Sequence, residues 1–110
     1  MSIQIPLDQI EAAAADFGQT AYVLVSSAEG PPRITHSFVR FEGPELIVSI
    51  GGTAAAALAG NPSVAVLWPA TVEQSMSLIA DGETVGPVEP DGGEVRVALT
   101  AAVLHRPATG

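Results

Sequence analysis

The segment Ser49 to Ala56, SIGGTAAA, offers the chain's best ground for gripping an anion. Gly51 and Gly52 carry no Cβ and let a ligand approach the backbone closely, while Thr53 offers a hydroxyl. The alanines that follow begin a helix, whose first N–H groups lack partners and carry a partial positive charge. Ser49 adds a hydroxyl at the end of the preceding strand. A helix N-terminus stabilises an anion by roughly 0.3–1 kcal/mol, up to ~2 kcal/mol in a sheltered site, whereas micromolar binding needs about 8 kcal/mol. A side-chain cation is therefore needed as well. Arg33, followed by Ile34, Thr35 and His36 at the start of an earlier strand, can supply it, because a guanidinium holds a phosphate through two parallel hydrogen bonds. The alternatives are a capped helix with a glycine hinge at Ser49–Ala56, and a surface arginine paired with Glu29 or Glu45 at Arg33.

His36 could meet a ligand edge, since an unperturbed imidazole titrates near neutrality, or could be a hydrogen-bonded strand histidine. Arg40 shares its strand face but lies near Glu42 and Glu45, which favours a solvated ion pair. His105 reads as structural, and two histidines so far apart make no metal motif. Trp68 ends an apolar strand, where packing is the default role of an indole. Glu83, Glu89, Asp91 and Glu94 lack the spacing of a calcium loop and read as solvated surface. Nucleophile-elbow, phosphate-loop and dinucleotide-fingerprint motifs are all absent, so hydrolase, NTPase and Rossmann readings have no anchor.

These residues must be positioned by short elements. Asp8 and Glu11 suggest a capping box for a helix that carries Leu7, Ile10, Ala14 and Phe17 on one face and ends at Gly18. Six strand signals follow: Thr20–Ser26, Pro32–Phe41, Glu45–Ile50, Ser63–Trp68, Ser75–Asp81 and Glu94–Arg106. Along Pro32–Phe41, Ile34, His36, Phe38 and Arg40 alternate with Arg33, Thr35, Ser37, Val39 and Phe41, so neither face is purely apolar. Thr53 is the expected N-cap of a helix over Ala54–Ala59, stopped by Gly60, Asn61 and Pro62. Gly82–Gly93, rich in glycine, proline and acids, reads as an exposed loop or loose hairpin. The pattern predicts a mostly β, antiparallel fold with two short helices, and a small barrel is the closure that removes exposed edges.

The block from Glu29 to Pro69, with its turn, two strands, glycine pair, alanine helix, Asn-Pro stop and buried strand, resembles the FMN-binding split β-barrel family typified by pyridoxamine 5′-phosphate oxidase. Ser77–Gly82 and Ala102–Pro107 extend that resemblance over nearly the whole chain. It implies a six-stranded antiparallel split barrel, a homodimer with paired sites between subunits, and an oxidoreductase that uses FMN or the deazaflavin F420. It also implies a cofactor site formed by Arg33, Ile34, Thr35, His36, Ser49, Gly51, Gly52 and Thr53. The family commonly places lysine or arginine in the first helical turn, where this chain has Ala54, Ala55 and Ala56. A second expectation is therefore a non-catalytic barrel that has lost its flavin and binds another small ligand or a protein.

Composition bounds both readings. The length of 110 residues suits one domain, and 47% hydrophobic residues with a mean hydropathy of +0.37 point to surface shared with another subunit. Twelve carboxylates face four arginines and no lysine, a formal charge of −8 that disfavours nucleic acid and anionic membranes. No apolar run could span a bilayer and no secretory leader is apparent, so a soluble, cytoplasmic protein is expected. The lack of cysteine excludes disulfides and thiolate chemistry.

Overall fold

Alternating apolar positions along the strands produce one antiparallel sheet that curls round and closes on itself. The structure is a computed structural model and describes residues 2–108. Its strands are β1 (Ser2–Gln4), β2 (Thr20–Val25), β3 (Arg33–Glu42), β4 (Glu45–Gly51), β5 (Ser63–Trp68), β6 (Ser77–Val85) and β7 (Gly92–His105). Two helices, α1 (Ile10–Ala15) and α2 (Gly52–Gly60), complete the described elements with a 3-10 turn at Leu7–Gln9. The sheet order is β1-β7-β4-β3-β2-β5-β6, and β6 pairs back onto β7. The six strands β2 to β7 thus form a closed barrel, and β1 is a seventh strand on its flank.

The long β7 makes that arrangement possible. Its first half pairs with β4, from Gly51↔Gly92 to Glu45↔Ala98, and its last residues pair with β1, from Gln4↔Val103 to Ser2↔His105. β6 follows its other edge, with a bulge where Asp81 pairs Ala101 and Gly82 pairs Leu99. Gly82 is required there, because a Cβ would stand 2.5 Å from the Ala98 carbonyl oxygen. Inward residues such as Val23, Leu46, Val66, Leu78 and Val97 fill the barrel, and Ile10 of α1 and Leu58 of α2 join the same core. Trp68 is wholly buried in this core, and its indole N–H finds no hydrogen-bond partner among the described residues.

Several sequence expectations need correction. The Asp8–Glu11 capping box does not form: residues Leu7–Gln9 make a 3-10 turn, neither helical segment has a side-chain cap, and Leu7 is exposed. Only Ile10 and Ala14 of the expected face are fully buried, with Phe17 packed beside them. Thr53 is not the N-cap of α2. The helix begins at Gly52, directly after β4, with extended Gly51 in the capping position and no side-chain cap. Gly82–Val85 belongs to β6 rather than to a loop. No helix among the described residues is long and apolar enough to cross a membrane.

Candidate functional site: the cleft between β3 and β4

The closed barrel splits along part of one seam. β3 pairs with β2 along Arg33–Phe38, but its ladder with β4 covers only Val39↔Val48 to Glu42↔Glu45. Beyond that point β4 continues beside β7 alone, as far as Gly51. The two strands part, and a cleft of about 480 Å³ lies between them. One wall is Pro32, Arg33, Ile34 and Thr35 at the start of β3; the other is Gly51, Gly52, Thr53 and Ala54 at the passage from β4 into α2.

Of the sequence-predicted site residues, the structure brings together Arg33, Ile34, Thr35, Gly51, Gly52 and Thr53. The side chains of His36 and Ser49 lie elsewhere. Strand alternation sends His36 to the outer face, where its ring stacks on Tyr22 at 4.6 Å between centroids and 17° between planes. Ser49 is exposed, and its backbone N–H donates to the Ser37 hydroxyl at 2.9 Å. The main chain of β3 still faces the gap. Val39 N–H donates to Gln19 O on the β2 side, so by alternation the N–H and C=O groups of Ile34 and His36 point away from β2 toward the cleft.

The opposite wall supplies the free N–H groups of the first turn of α2, left open by the missing cap. It is held in place by glycine. Gly92 has a φ of 90°, and a Cβ on it would collide with the Ile50 carbonyl and the Gly51 backbone, so β7 approaches the end of β4 closely only because no side chain intervenes. Ala54 and Ala55 turn into the core, whereas Thr53 and Ala56 are exposed one turn apart. The positions open to a long basic side chain are thus Thr53 and Ala56, and not all three alanines.

The electrostatics of the cleft differ from those of the whole chain. Its lining includes Arg33 and no carboxylate, although the chain has twelve. Arg33 forms an ion pair with none of the described carboxylates, so the expected partners Glu29 and Glu45 do not hold it. Arg40 and Arg96 are committed elsewhere. On the outer face, Arg40 reaches Glu94 at 2.6 Å and Glu42 at 2.8 Å, and Arg96 reaches Glu42 at 2.6 Å and Glu45 at 3.2 Å. Their stems flank Ile47, which lies buried between them on β4. The Arg40 hydrogen bond holds the Glu94 carboxyl below its ordinary pKa, those from Arg40 and then Arg96 do the same for Glu42, and both guanidinium values rise in return. His105 shares a 3.1 Å hydrogen bond with Ser2 that joins β1 to β7.

No family model matches the chain, and no curated protein matches it at a significant level. Solved structures do match in fold. A candidate pyridoxamine 5′-phosphate oxidase from Listeria innocua superposes with a TM-score of 0.67 at 14% identity, over 89% of this chain and 96% of its own. A protein named F420 reductase gives 0.62 at 14% identity, over 76% and 88%. The haem storage protein HutZ from Vibrio cholerae gives 0.65 at 13% identity, over 87% and 94%. This chain shares the six-stranded split-barrel fold of the pyridoxamine 5′-phosphate oxidase-like proteins.

Proposed function

We propose that the chain is a flavin-binding split barrel that takes FMN in the cleft between β3 and β4 and serves as an oxidoreductase. The observation that carries this reading is the meeting, in one carboxylate-free cleft, of an arginine unpaired among the described residues with the uncapped N-terminus of α2. The residues fit the group. Arg33 can hold a phosphate bidentately, the N–H groups of Gly52 and Thr53 can donate to it, and the glycine pair allows close approach. The free main-chain edge at Ile34 and His36 can hydrogen-bond a planar heterocycle, and a volume of about 480 Å³ lies within the common range of small-molecule sites. When bound, the flavin supplies the electron and hydride chemistry. The cleft lining contributes no carboxylate or imidazole, so its residues bind and orient rather than transfer protons. A single cation suits one terminal phosphate better than a longer anionic tail, which favours FMN over F420.

A second copy belongs on the outer face of β3, β2, β5, β6 and β7. Ile34 is 62% and Phe38 74% exposed there, beside the outward Tyr22, Leu24, Leu67, Ile79 and Val103. Ile34 also borders the cleft, so a subunit seated on this face would wall the site. Light scattering at micromolar concentration should give twice the chain mass. The alternative, a barrel holding a different ligand, draws on the fold shared with the haem storage protein. Calorimetric titration separates the two. FMN should bind, and riboflavin, which lacks the phosphate, should bind at least about tenfold more weakly. Haem binding without FMN binding would replace the flavin reading.

A further inference from the structure

Ser37 is the one buried polar side chain among the described residues, 4% exposed, and it sits where β3 and β4 part. The register Val39↔Val48 places Phe38 opposite Ser49 as the next pair. Val39 is turned toward β2, since its N–H donates to Gln19 O, so Phe38 is turned toward β4 and the pair should close with a direct bond from Ser49 N–H to Phe38 C=O. That bond is replaced. Ser49 N–H donates to the Ser37 hydroxyl at 2.9 Å, and the hydroxyl donates to Phe38 C=O at 2.7 Å. One side chain is inserted into the ladder as a bridging water would be. At a tetrahedral angle about the hydroxyl oxygen, these two legs hold donor and acceptor roughly 4.5 Å apart, where a direct bond would hold them at about 2.9 Å. Both backbone groups remain satisfied, which removes the usual penalty for opening a ladder inside a fold.

We propose that Ser37 is a positioning residue that wedges β3 from β4 and so sets the width of the cleft. Everything that lines the cleft lies beyond it. Arg33–Thr35 on one strand and Gly51–Ala54 on the other would approach each other if the ladder closed by another pair. The position suits the task, because Ser37 faces Ala21 across β2, a small neighbour that leaves the hydroxyl free to reach sideways. The effect on ligand affinity rests on the flavin reading above; the effect on the ladder does not.

The test uses NMR on the protein without ligand and calorimetry with FMN, for the parent, Ser37→Ala and Ser37→Thr. The parent should show no close contact between the Phe38 and Ser49 amide protons. Ser37→Ala should gain that contact, with a new α-proton contact between position 37 and Ile50, and should bind FMN at least about tenfold more weakly. Ser37→Thr, which keeps the hydroxyl, should restore both parental properties. A direct Phe38–Ser49 amide contact in the parent would overturn the inference, even if Ser37→Ala did not fold. So would a folded Ser37→Ala protein with an unclosed ladder and parental FMN affinity. If no variant binds FMN while Ser37→Ala still closes the ladder, the flavin reading falls and the wedge stands.

Discussion

Arg33 opens β3 on the inward side of the strand, the side that period-two alternation also gives to Thr35 and Ser37. Two of the other three arginines, Arg40 and Arg96, are held by glutamates on the outer face, which leaves Arg33 as the cation on the cleft lining. Arg33→Ala should remove a charge-assisted contact of about 1.5–3 kcal/mol, so FMN should bind roughly ten- to a hundred-fold more weakly while riboflavin affinity changes little. Calorimetry reads both ligands, and an unchanged FMN constant would make Arg33 an ordinary surface residue. The chemistry of this wall was legible in the residue types, but its geometry was only partly so. The strand's period puts the Arg33 and His36 side chains on opposite faces, so His36 meets the cleft through its main chain alone. Ser37 gave no signal, because a serine inside a strand looks the same whether it bonds its own ladder or divides it.

At the level of elements, α2 presents its N-terminus to the cleft. Its first turn is uncapped and its exposed side carries Thr53 and Ala56, with no acidic or basic residue in the terminal turns. Ala56→Lys would place a cation one turn above Thr53 without forcing it into the core. The unfavourable interaction of lysine with the helix dipole costs only some tenths of a kcal/mol. FMN should bind more tightly to Ala56→Lys than to the parent, and its affinity should fall more steeply with salt, because the added attraction is screened. Equal affinities and equal salt slopes would place the phosphate away from this helix. Ala54→Lys should instead destabilise the fold, since Ala54 is buried. The six barrel strands were legible because each is a run rich in β-branched, aromatic or other apolar residues bounded by turn residues. β1 was not, since Ser2, Ile3 and Gln4 are all exposed and join the sheet through backbone pairing with the end of β7. Gly82–Val85 was misread as loop because its glycine, which usually breaks a strand, here relieves the close passage of Ala98.

Across the molecule, the ion-pair network on the outer face ties β3 to β7 over β4 and shields Ile47. Glu42 and Glu94 both have carboxyl pKa values lowered by their arginine hydrogen bonds. A carboxyl lowered in the folded state stabilises it above the unfolded value, about 4.3 for glutamate, and that contribution disappears as pH falls through the folded value. Denaturant unfolding at a series of pH values should therefore show a loss of stability in acid that is smaller in Arg40→Met than in the parent. Identical pH profiles would mean that the network contributes nothing measurable, as many exposed pairs do. The length of β7 has a different consequence, for the order of events in folding. This strand borders β4, β6 and β1, and its partner β1 lies at the far end of the chain. On a ribosome the barrel can close only once β7 has emerged, so β2–β6 must wait as an open sheet with unpaired edges at β4 and β6. Such non-local closure places the protein among slow-folding topologies, with refolding on the millisecond-to-second scale, and makes the incomplete chain the state most exposed to aggregation.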